Sequence, residues 1–305
     1  MSTIIQTNHL TKSYGRSRGI IEVTFDTQEG EVFGFLGPNG AGKTTTMRVL
    51  MGLLHANSGS ATIGGLDCWQ QSTEVKKLVG YLPGEFTFDP GLRGAQIIEY
   101  LVHLRSGVDQ AYVRSLVERL GFDPSKHFRE YSHGNKQKLG LVQAFMHKPR
   151  LLILDEPTSG LDPLNQQEFY KMVAEARAGG RTVFLSSHIL PEVEHTCDRV
   201  AIIREGRLVK IDHVSSLKDI HQRDVEISFA GPASVDWFKH VAGVVSVAQG
   251  ADERTLQLSV QGDLTEIIQI ANQHSATNID THEPSLEEVF LRFYEPEPSA
   301  LAGER

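Results

Sequence analysis

The sequence predicts an α/β fold with parallel strands in its first two thirds, followed by a smaller α+β domain. Two observations support this prediction. Short apolar runs of strand length alternate with helical patterns up to about residue 220, where the order of elements changes. The charge changes at the same place, because residues 1–220 hold 25 basic and 24 acidic side chains, whereas residues 221–305 hold 5 and 14. We therefore predict two domains, 1–220 and 221–305, the second of them acidic.

The composition excludes several classes of protein. A chain of 305 residues, 40% hydrophobic and 22% charged, can bury a full core, which excludes wholesale disorder. Cys68 and Cys197 are too few for a disulfide framework or a four-ligand zinc site, and they favour a reducing compartment. The acidic second domain argues against nucleic acid as its ligand, because binding phosphates needs Lys and Arg. We expect neither a signal peptide nor a membrane span, so any membrane role would come through a partner.

Apolar runs define the elements of the first domain. EVFGFL and LLILD are continuous apolar runs, which is typical of strands buried on both faces of a parallel sheet. Longer segments between them show apolar residues at helical spacing. The predicted elements are strand Glu31–Leu36, helices Lys43–Leu54, Gly94–Arg105 and Asp109–Leu120, strands Leu151–Asp155 and Thr182–Leu185, and a hairpin of Arg199–Arg204 and Arg207–Ile211.

The second domain has a different order of elements. Its segments read strand, helix, strand, strand, helix, strand, which is the split-βαβ or ferredoxin-like order. Pro284 and Ser285 then predict the start of a final short helix, with Ser285 at its N-cap. The predicted segments are Asp224–Phe229, Ala233–Val241, Val244–Ala248, Thr255–Val260, Leu264–His274 and Asn278–Thr281, followed by the helix Ser285–Phe293.

A phosphate-binding loop lies between the first predicted strand and the first helix. GPNGAGKT is a full match to the P-loop pattern G-x-x-x-x-G-K-[ST]. Glycines let backbone N–H groups converge on phosphate oxygens, and the helix N-terminus adds partial positive charge. Lys43 is predicted to reach the β- and γ-phosphates, Thr44 to hold Mg²⁺ and Thr45 to touch a phosphate. The predicted phosphate-binding residues are Gly37, Pro38, Asn39, Gly40, Ala41, Gly42, Lys43, Thr44 and Thr45.

Two adjacent carboxylates end the strand LLILD. Asp155 and Glu156 are expected at the carboxyl edge of the sheet, where open α/β sheets bind ligands. Asp155 is placed to hold Mg²⁺ through water, and Glu156 to polarise the attacking water as a general base. The P-loop by itself fits GTPases, kinases and ATPases alike. A GTPase would need a guanine-reading N-K-x-D motif, and the sequence contains none. A small-molecule kinase would lack this carboxylate pair.

Together, GPNGAGKT and LLILDEP resemble the ATP-binding subunits of ABC transporters, and further motifs fall in that family's order. YSHGNKQK stands where the family carries LSGGQ, and it keeps Ser132 and Gly134, which in the family face the γ-phosphate of ATP held by the other subunit. SGLD resembles the family's D-loop, in which Asp162 reaches across a dimer. His188 in FLSSHIL matches the histidine that contacts the γ-phosphate.

The resemblance points to two further positions. KSYG resembles the loop whose aromatic residue, here Tyr14, stacks on adenine. The family usually carries Gln after a GY-hydrophobic-Pro strand, where it touches Mg²⁺ and the membrane subunit, whereas VGYLPGE has Gly84 at that place and Glu85 beside it. Either Glu85 substitutes as a water-mediated metal ligand, or the metal contact is lost there. The resemblance also implies an ABC-type ATPase domain with a helical subdomain at about 84–150.

The resemblance implies a function as well. Two copies, or this chain and a related ATPase subunit, would enclose two molecules of ATP with Mg²⁺, and hydrolysis would reopen the dimer. An integral-membrane permease would be the partner, with no nucleic acid involved, and it would hold the chain at the cytoplasmic face of the cell membrane. EPSLEEVF is similar to C-terminal extensions in ATPases of bacterial exporters for drugs, antibiotics or lipids.

Two alternatives remain open at this point. The first is a soluble ABC ATPase that acts on ribosomes or DNA, but a single P-loop, no heptad run and an acidic tail argue against it. The second is a regulatory module that binds ATP without hydrolysing it, and the presence of Glu156 and His188 argues against that.

Overall fold

The computed structural model describes residues 2–15, 17–105, 107–219 and 222–282. The chain divides into two units, Met1–Val214 and Ser215–Arg305. This division lies ahead of the boundary at 220/221 that the charge pattern suggests. Val214 still belongs to the first unit, because its side chain is buried and its N–H donates to Asp198 O at 2.9 Å.

The first unit alternates strands and helices along the chain, which confirms the predicted α/β class. Its elements are β1 (Thr3–Tyr14), β2 (Ser17–Gln28), β3 (Val32–Leu36), α1 (Lys43–Leu50), β4 (Ser58–Ile63), β5 (Leu66–Asp67), α2 (Ser72–Leu78), β6 (Val79–Leu82), α3 (Gly94–His103), α4 (Gln110–Arg119), a 3-10 turn (Phe128–Glu130), α5 (His133–Phe145), β7 (Leu151–Asp155), α6 (Pro163–Ala178), β8 (Thr182–Ser187), α7 (Leu190–Thr196), β9 (Arg199–Arg204) and β10 (Arg207–His213), with α8 (Val214–Asp219) next in the chain.

A six-stranded sheet with the order β10-β9-β3-β8-β7-β6 forms the centre of the first unit. β3 pairs in parallel with β8 and β9, β7 pairs in parallel with β6 and β8, and β10 joins antiparallel to β9. β3, β7 and β8 are buried along their whole length, as expected for strands covered on both faces. The carboxyl ends of β3, β7 and β8 meet at one edge, so the segments that follow these three strands lie close together.

A second sheet, antiparallel with the order β2-β1-β4-β5, belongs to the same unit. Phe25 of β2 stacks on Phe33 of β3 and on Phe184 of β8, with ring centroids 5.6 and 5.5 Å apart, which joins this sheet to the central one. The sequence pattern does not reveal β1 and β2, because register shifts interrupt their pairing. His9 and Glu22 also have φ of 45° and 52°, which breaks the period-two alternation of an ordinary strand.

In the first unit, the predicted helices agree with the structure except at their ends. α3, α4, the 3-10 turn and α5 fall in the segment expected as a helical subdomain. α1 is shorter than predicted, since it ends at Leu50 rather than Leu54. Gly52 has φ of 60°, and the N–H groups of Leu53 and Leu54 both donate to Arg48 O, which closes the helix early.

The described elements of the second unit are β11 (Gln222–Phe229), a 3-10 turn (Val235–Trp237), β12 (Val244–Gln249), β13 (Thr255–Gln261), α9 (Thr265–Gln273) and β14 (Ala276–His282). The strands form an antiparallel sheet with the order β12-β13-β11-β14, which is the strand order of a split βαβ arrangement. Apolar side chains on one face of β11 and β13 pack with Ile267 and Ala271 of α9 in the core of this unit. The final helix predicted at Ser285–Phe293 lies outside the described residues.

The predicted helix Ala233–Val241 is wrong, because this segment forms a short 3-10 turn instead. Its backbone bonds span three residues rather than four: Phe238 N–H donates to Val235 O, and Val241 N–H donates to Phe238 O. The apolar residues Val235, Phe238 and Val241 are spaced by three and pack on the core of the second unit. That spacing fits both kinds of helix, so sequence pattern alone does not separate them.

Candidate nucleotide-binding site

The P-loop runs from the end of β3 into α1. Gly42 is the N-cap of α1 with φ of 112°, and a Cβ at this position would lie 2.7 Å from Ile20 Cγ2, so the turn requires glycine. Gly37 N–H donates to Ser187 O at 3.2 Å, which fixes the start of the loop to β8. α1 begins at Lys43 and has no acidic residue in its first turn. The N–H groups of that turn are therefore available to bind an anion, and no carboxylate of the same turn competes for them.

Lys43 is buried, with 5% of its surface exposed. Its Nζ donates to Gly37 O at 2.6 Å and to Pro38 O at 3.2 Å, so the ammonium lies inside the curve of the P-loop. The same Nζ is 3.0 Å from Glu156 Oε1. The ion pair brings the two residues that the sequence predicts for phosphate binding and water activation into direct contact.

Asp155 is fully buried at the end of β7. Its Oδ1 accepts a hydrogen bond from Ser186 Oγ at 2.6 Å, whereas its Oδ2 is buried with no hydrogen-bond partner among the described residues. Burial raises the pKa of the Tyr81 hydroxyl, and the charge of Asp155 raises it further. An unpartnered buried carboxylate oxygen is costly, and oxygen of this kind is the donor that Mg²⁺ prefers.

Glu156 is held in a strained backbone conformation by three neighbours. Its φ is 48°, in the left-handed region that glycine favours. Its N–H donates to Ser186 Oγ at 3.0 Å, and its carbonyl accepts from Gln137 Nε2 at 2.9 Å. Its Oε2 is 2.8 Å from His188 Nδ1. Strain that surrounding contacts maintain is typical of functional sites, and here it directs the carboxylate to both Lys43 and His188.

Gln137 is a site neighbour that the sequence motifs do not single out as functional. It lies on α5 with 2% of its surface exposed, and its side-chain amide reaches the carbonyl of Glu156. A buried Gln side chain needs a hydrogen-bond partner, and here the partner, Glu156 O, is 19 positions away in the chain, so no local motif contains both residues. The burial of Gln137, which only the structure shows, is therefore what marks this residue as unusual.

The segment YSHGNKQK, called here the signature segment, and the D-loop segment SGLD pack against each other. Ser132 is the N-cap of α5 and accepts from Asn135 N–H at 3.3 Å. His133 Nε2 is 3.2 Å from Ser159 Oγ, and a Cβ on Gly134 would overlap the carbonyl of Gly160. Glycine at position 134 is therefore required by this close approach of two backbones.

Asp162 caps the next helix. Its carboxylate accepts from the N–H of Asn165, and this bond together with one from the Asn165 side chain holds the pKa of Asp162 below its usual range. Its hydrogen bonds, like those of Ser132, stay within its own turn among the described residues. The structure therefore brings Lys43, Glu156 and His188 together as one cluster. Ser132 and Gly134 lie at the start of α5 and Asp162 at the start of α6, two turns joined by the contact between Gly134 and Gly160.

Tyr14 ends β1 and is 43% exposed. It lies at the tip of the β1–β2 hairpin, opposite Ser17, and in the next pair of that hairpin Lys12 lies opposite Ile20. Ile20 is the residue that abuts Gly42 of the P-loop. The exposed Tyr14 ring thus lies at the end of the hairpin whose strand β2 contacts the P-loop through Ile20, and an exposed ring is compatible with stacking on a base.

The position of the family's usual Gln lies against Asp155. A Cβ on Gly84 would be 3.1 Å from Asp155 Oδ2, the carboxylate oxygen that has no hydrogen-bond partner among the described residues. Glu85 is exposed, and no described residue forms a hydrogen bond or ion pair with it. The metal-binding role of Glu85 therefore stays a prediction.

These features define a class of protein. A P-loop follows β3, the buried Asp155 ends β7 with Glu156 directly after it, and a histidine follows β8, which lies between those two strands. This is the arrangement of a P-loop ATPase, in which phosphates, a metal and a water are handled at one sheet edge.

The chain belongs to the family of ABC transporter ATP-binding proteins. The family model described as ABC transporter matches residues 20–159. The chain is 32% identical to the bacitracin transport ATP-binding protein BcrA of Bacillus licheniformis over 311 residues, which cover 96% of this chain and 97% of that protein. It is 29% identical to the linearmycin resistance ATP-binding protein LnrL of Bacillus subtilis over 304 residues, covering 94% and 97%.

Solved structures agree with this assignment. An ATP-binding subunit of an ABC transporter matches with a TM-score of 0.65 and 27% identity, covering 71% of this chain and 92% of that one. A dimeric ATP-binding cassette in a post-hydrolysis state with ADP and Pi shows the same fold, with a TM-score of 0.61, 18% identity, and coverage of 69% and 99%. The chain is an ABC-type ATPase.

No helix in the described ranges combines the length and the apolar composition that a bilayer-spanning segment needs.

Proposed function

We propose that this chain hydrolyses ATP in two composite sites of a dimer and thereby powers export of antibiotic-type molecules through a separate integral-membrane permease. The observation that supports it most is the contact of Lys43 with Glu156 and of Glu156 with His188 at the sheet edge. The cargo class rests on similarity over nearly the whole chain to proteins of bacitracin transport and linearmycin resistance. Bound to its permease, the subunit would lie at the cytoplasmic face of the membrane.

The residues of one subunit supply the phosphate and water chemistry. Lys43 and the N–H groups at the start of α1 bind the β- and γ-phosphates, with Thr44 and Thr45 on the same turn. When Lys43 binds phosphate oxygens, Glu156 Oε1 is released from the ion pair to accept a proton from the attacking water. His188, paired with the other oxygen of Glu156, is placed to donate to the terminal phosphate.

The residues at this edge also fit Mg²⁺. Asp155 Oδ2 is a buried carboxylate oxygen with no partner among the described residues, and Thr44 offers a hydroxyl at the start of α1. Mg²⁺ takes oxygen ligands and keeps several waters, so these two residues are enough to hold it beside substrate phosphates. When bound, the ion would neutralise the charge that develops on the phosphates.

A second subunit supplies the remaining contacts. Ser132 and Gly134 lie at the N-terminus of α5, where the hydroxyl and the amides can face an anion held by the partner. Asp162 lies on the adjacent turn. One nucleotide-binding domain per chain then requires either a homodimer or a related ATPase subunit to complete two sites.

Replacing Gly134 with alanine should impair this second surface. The new Cβ would overlap the carbonyl of Gly160, so the signature turn or the D-loop turn must move. We expect the ATPase rate to fall by roughly tenfold or more, because positioning errors of this size are costly in catalysis. ATP affinity of the isolated subunit should stay near that of the wild type, because Lys43 and the P-loop belong to the other half of the site.

The matched control is Gly231→Ala, since a Cβ there meets nothing within 4 Å. Both rates are measured as phosphate release at saturating ATP. If Gly134→Ala hydrolysed ATP at the wild-type rate, the proposal that the signature segment belongs to the nucleotide-binding site would be wrong.

Removing residues 221–305 should spare ATP binding. The P-loop, Asp155 and His188 all lie in the first unit, which ends at Val214, and the cut retains α8. We expect nucleotide affinity within about twofold of the full chain, because a domain with its own core can in principle fold alone. A fluorescent ATP analogue measures the affinity, and outright loss of binding would overturn the division of labour between the two units.

The transport role is tested by what the chain binds in cells. A tagged chain purified in mild detergent should carry an integral-membrane protein with several spans. If ribosomes or DNA were co-purified instead, the export proposal would be contradicted and the alternative of a soluble ATPase would be supported.

A further inference from the structure

Glu192 is a buried acidic residue to which the proposed mechanism of ATP hydrolysis assigns no role. It lies in the first turn of α7 with 7% of its surface exposed. Among the described residues no Lys, Arg or His forms an ion pair with it. A buried carboxylate without a cation is costly unless hydrogen bonds compensate for the lost water. Two hydroxyl groups do so here: Thr158 Oγ1 donates to Glu192 Oε1, and Ser187 Oγ donates to Glu192 Oε2 at 2.7 Å.

The two hydroxyl groups come from the two segments that carry the active cluster. Thr158 lies two residues after Glu156, on the segment that leaves β7, and Ser187 lies immediately before His188 at the end of β8. Both are buried, Thr158 with 4% exposure and Ser187 with none. Glu192 therefore ties the segment that holds the general base to the segment that holds the histidine.

This tie lies beside the contact between Glu156 and His188. Their Oε2 and Nδ1 atoms are 2.8 Å apart, although the residues are 32 positions apart in the chain. His188 itself is half-exposed, so packing alone does not fix its ring. The orientation of the pair depends on how the two segments are held relative to each other.

A simpler role for Glu192 is to cap α7. Glu at the third helical position commonly reaches back to the start of its helix, and Ser187 Oγ also accepts from Ile189 N–H at 2.9 Å. That role explains the bond to Ser187 but not the bond to Thr158, which belongs to a different strand connection. A capping carboxylate is ordinarily solvated, whereas this one is buried and bonded to residues of two separate segments, Thr158 and Ser187.

We propose that Glu192 is a positioning residue that holds Glu156 and His188 at hydrogen-bonding distance by joining Thr158 to Ser187. The inference rests on the roles proposed for Glu156 and His188. Glu192 touches neither ATP nor water in this scheme. It acts on the rate of the chemical step and leaves nucleotide binding, which depends on the P-loop, unchanged.

Thr158→Val tests this proposal because it removes one hydroxyl at nearly constant volume and leaves the bond between Ser187 and Glu192 intact. We expect kcat for ATP hydrolysis to fall about tenfold, as loss of orientation predicts, with KM for ATP within about twofold of the wild type. Thr158→Ser keeps the hydroxyl and should restore kcat to within about twofold. Thr27→Val is the control, since that buried hydroxyl has no hydrogen-bond partner among the described residues and lies on β2, and it should leave kcat unchanged.

The histidine provides a second readout. In a His188→Ala background, Thr158→Val should lower kcat by less than about twofold further, because the residue being positioned is already gone. Multiplicative effects in the double variant would overturn the proposal, and so would a Thr158→Val variant with wild-type kcat or a Thr158→Ser variant that fails to recover.

Folding and the underlying function are checked separately. Circular dichroism and thermal melting identify folded variants, and should Thr158→Val not fold, Glu192→Gln is measured in its place. A folded Glu192→Gln with wild-type kcat overturns the proposal, and a lower kcat with unchanged KM supports it. Wild-type hydrolysis by Glu156→Gln would instead refute the role proposed for Glu156 as general base, whatever Thr158 does.

Discussion

Glu156→Gln should bind ATP with near wild-type affinity and lose at least about 100-fold of the hydrolysis rate, because an amide cannot accept the proton of the attacking water. The substitution is nearly isosteric. It leaves the backbone contacts with Gln137 and Ser186 in place, which maintain the φ of 48° at this residue. Phosphate release measures hydrolysis, and a fluorescent ATP analogue measures binding.

The control for this substitution is Glu74→Gln. Glu74 forms an exposed ion pair with Lys77 on α2, so its carboxylate is removed without touching the site. Exposed pairs of this kind contribute little to stability, and the rate should stay at the wild-type level. If Glu156→Gln hydrolysed ATP at the wild-type rate, the assignment of Glu156 as general base would be wrong.

Lys43→Met should abolish hydrolysis and weaken ATP binding strongly, because it removes the buried cation that lies inside the P-loop. Its ammonium contacts Gly37 O, Pro38 O and Glu156, and methionine offers none of these donors. Loss of one preorganised donor to phosphoryl charge costs roughly 100- to 1000-fold in rate, and a buried ammonium is at the upper end of that range. Binding and phosphate release are measured as for Glu156.

Lys77→Met is the matched control for Lys43→Met, since Lys77 is the exposed partner of Glu74. We expect this variant to bind and hydrolyse ATP normally. A Lys43→Met variant that kept wild-type affinity and rate would show that GPNGAGKT in this chain is a glycine-rich turn without a role in phosphate binding.

The parts of the fold that could be predicted are those with strong local patterns. β3 and β7 are continuous apolar runs, because they are buried on both faces of the central sheet. β1 and β2 escape prediction, because bulges and positive φ values at His9 and Glu22 disturb their alternation. The error at Ala233–Val241 has a different cause, since a three-residue spacing of apolar side chains serves a 3-10 turn as well as an α-helix.

The site divides in the same way. Lys43, Glu156 and His188 are visible in the sequence because each belongs to a local motif whose residue types reflect phosphate chemistry. Gln137 and Glu192 are not visible, because they act through hydrogen bonds to Glu156 O and to Thr158 and Ser187, and such bonds between distant segments leave no local pattern. The resemblance to the family is also silent on them.

Position 84 shows what the resemblance to the family does not predict, namely which group lies beside Asp155 in place of the usual Gln. The family pattern raises the question of what replaces its usual Gln, but only the structure shows that the backbone of Gly84 lies against Asp155 Oδ2. Glu85 is exposed next to it, so a metal contact from Glu85 would require this segment to turn inward when nucleotide binds.

The most direct test of the composite site is the molar mass of the Glu156→Gln variant in solution with and without ATP, measured by light scattering. ATP held between Lys43 of one subunit and Ser132 and Gly134 of the other should join two copies that cannot reopen without hydrolysis. We predict a monomer without nucleotide and a mass twice as large with ATP, with the increase lost when Gly134→Ala is added. A variant that binds ATP at saturation and remains a monomer would contradict the composite site in a homodimer.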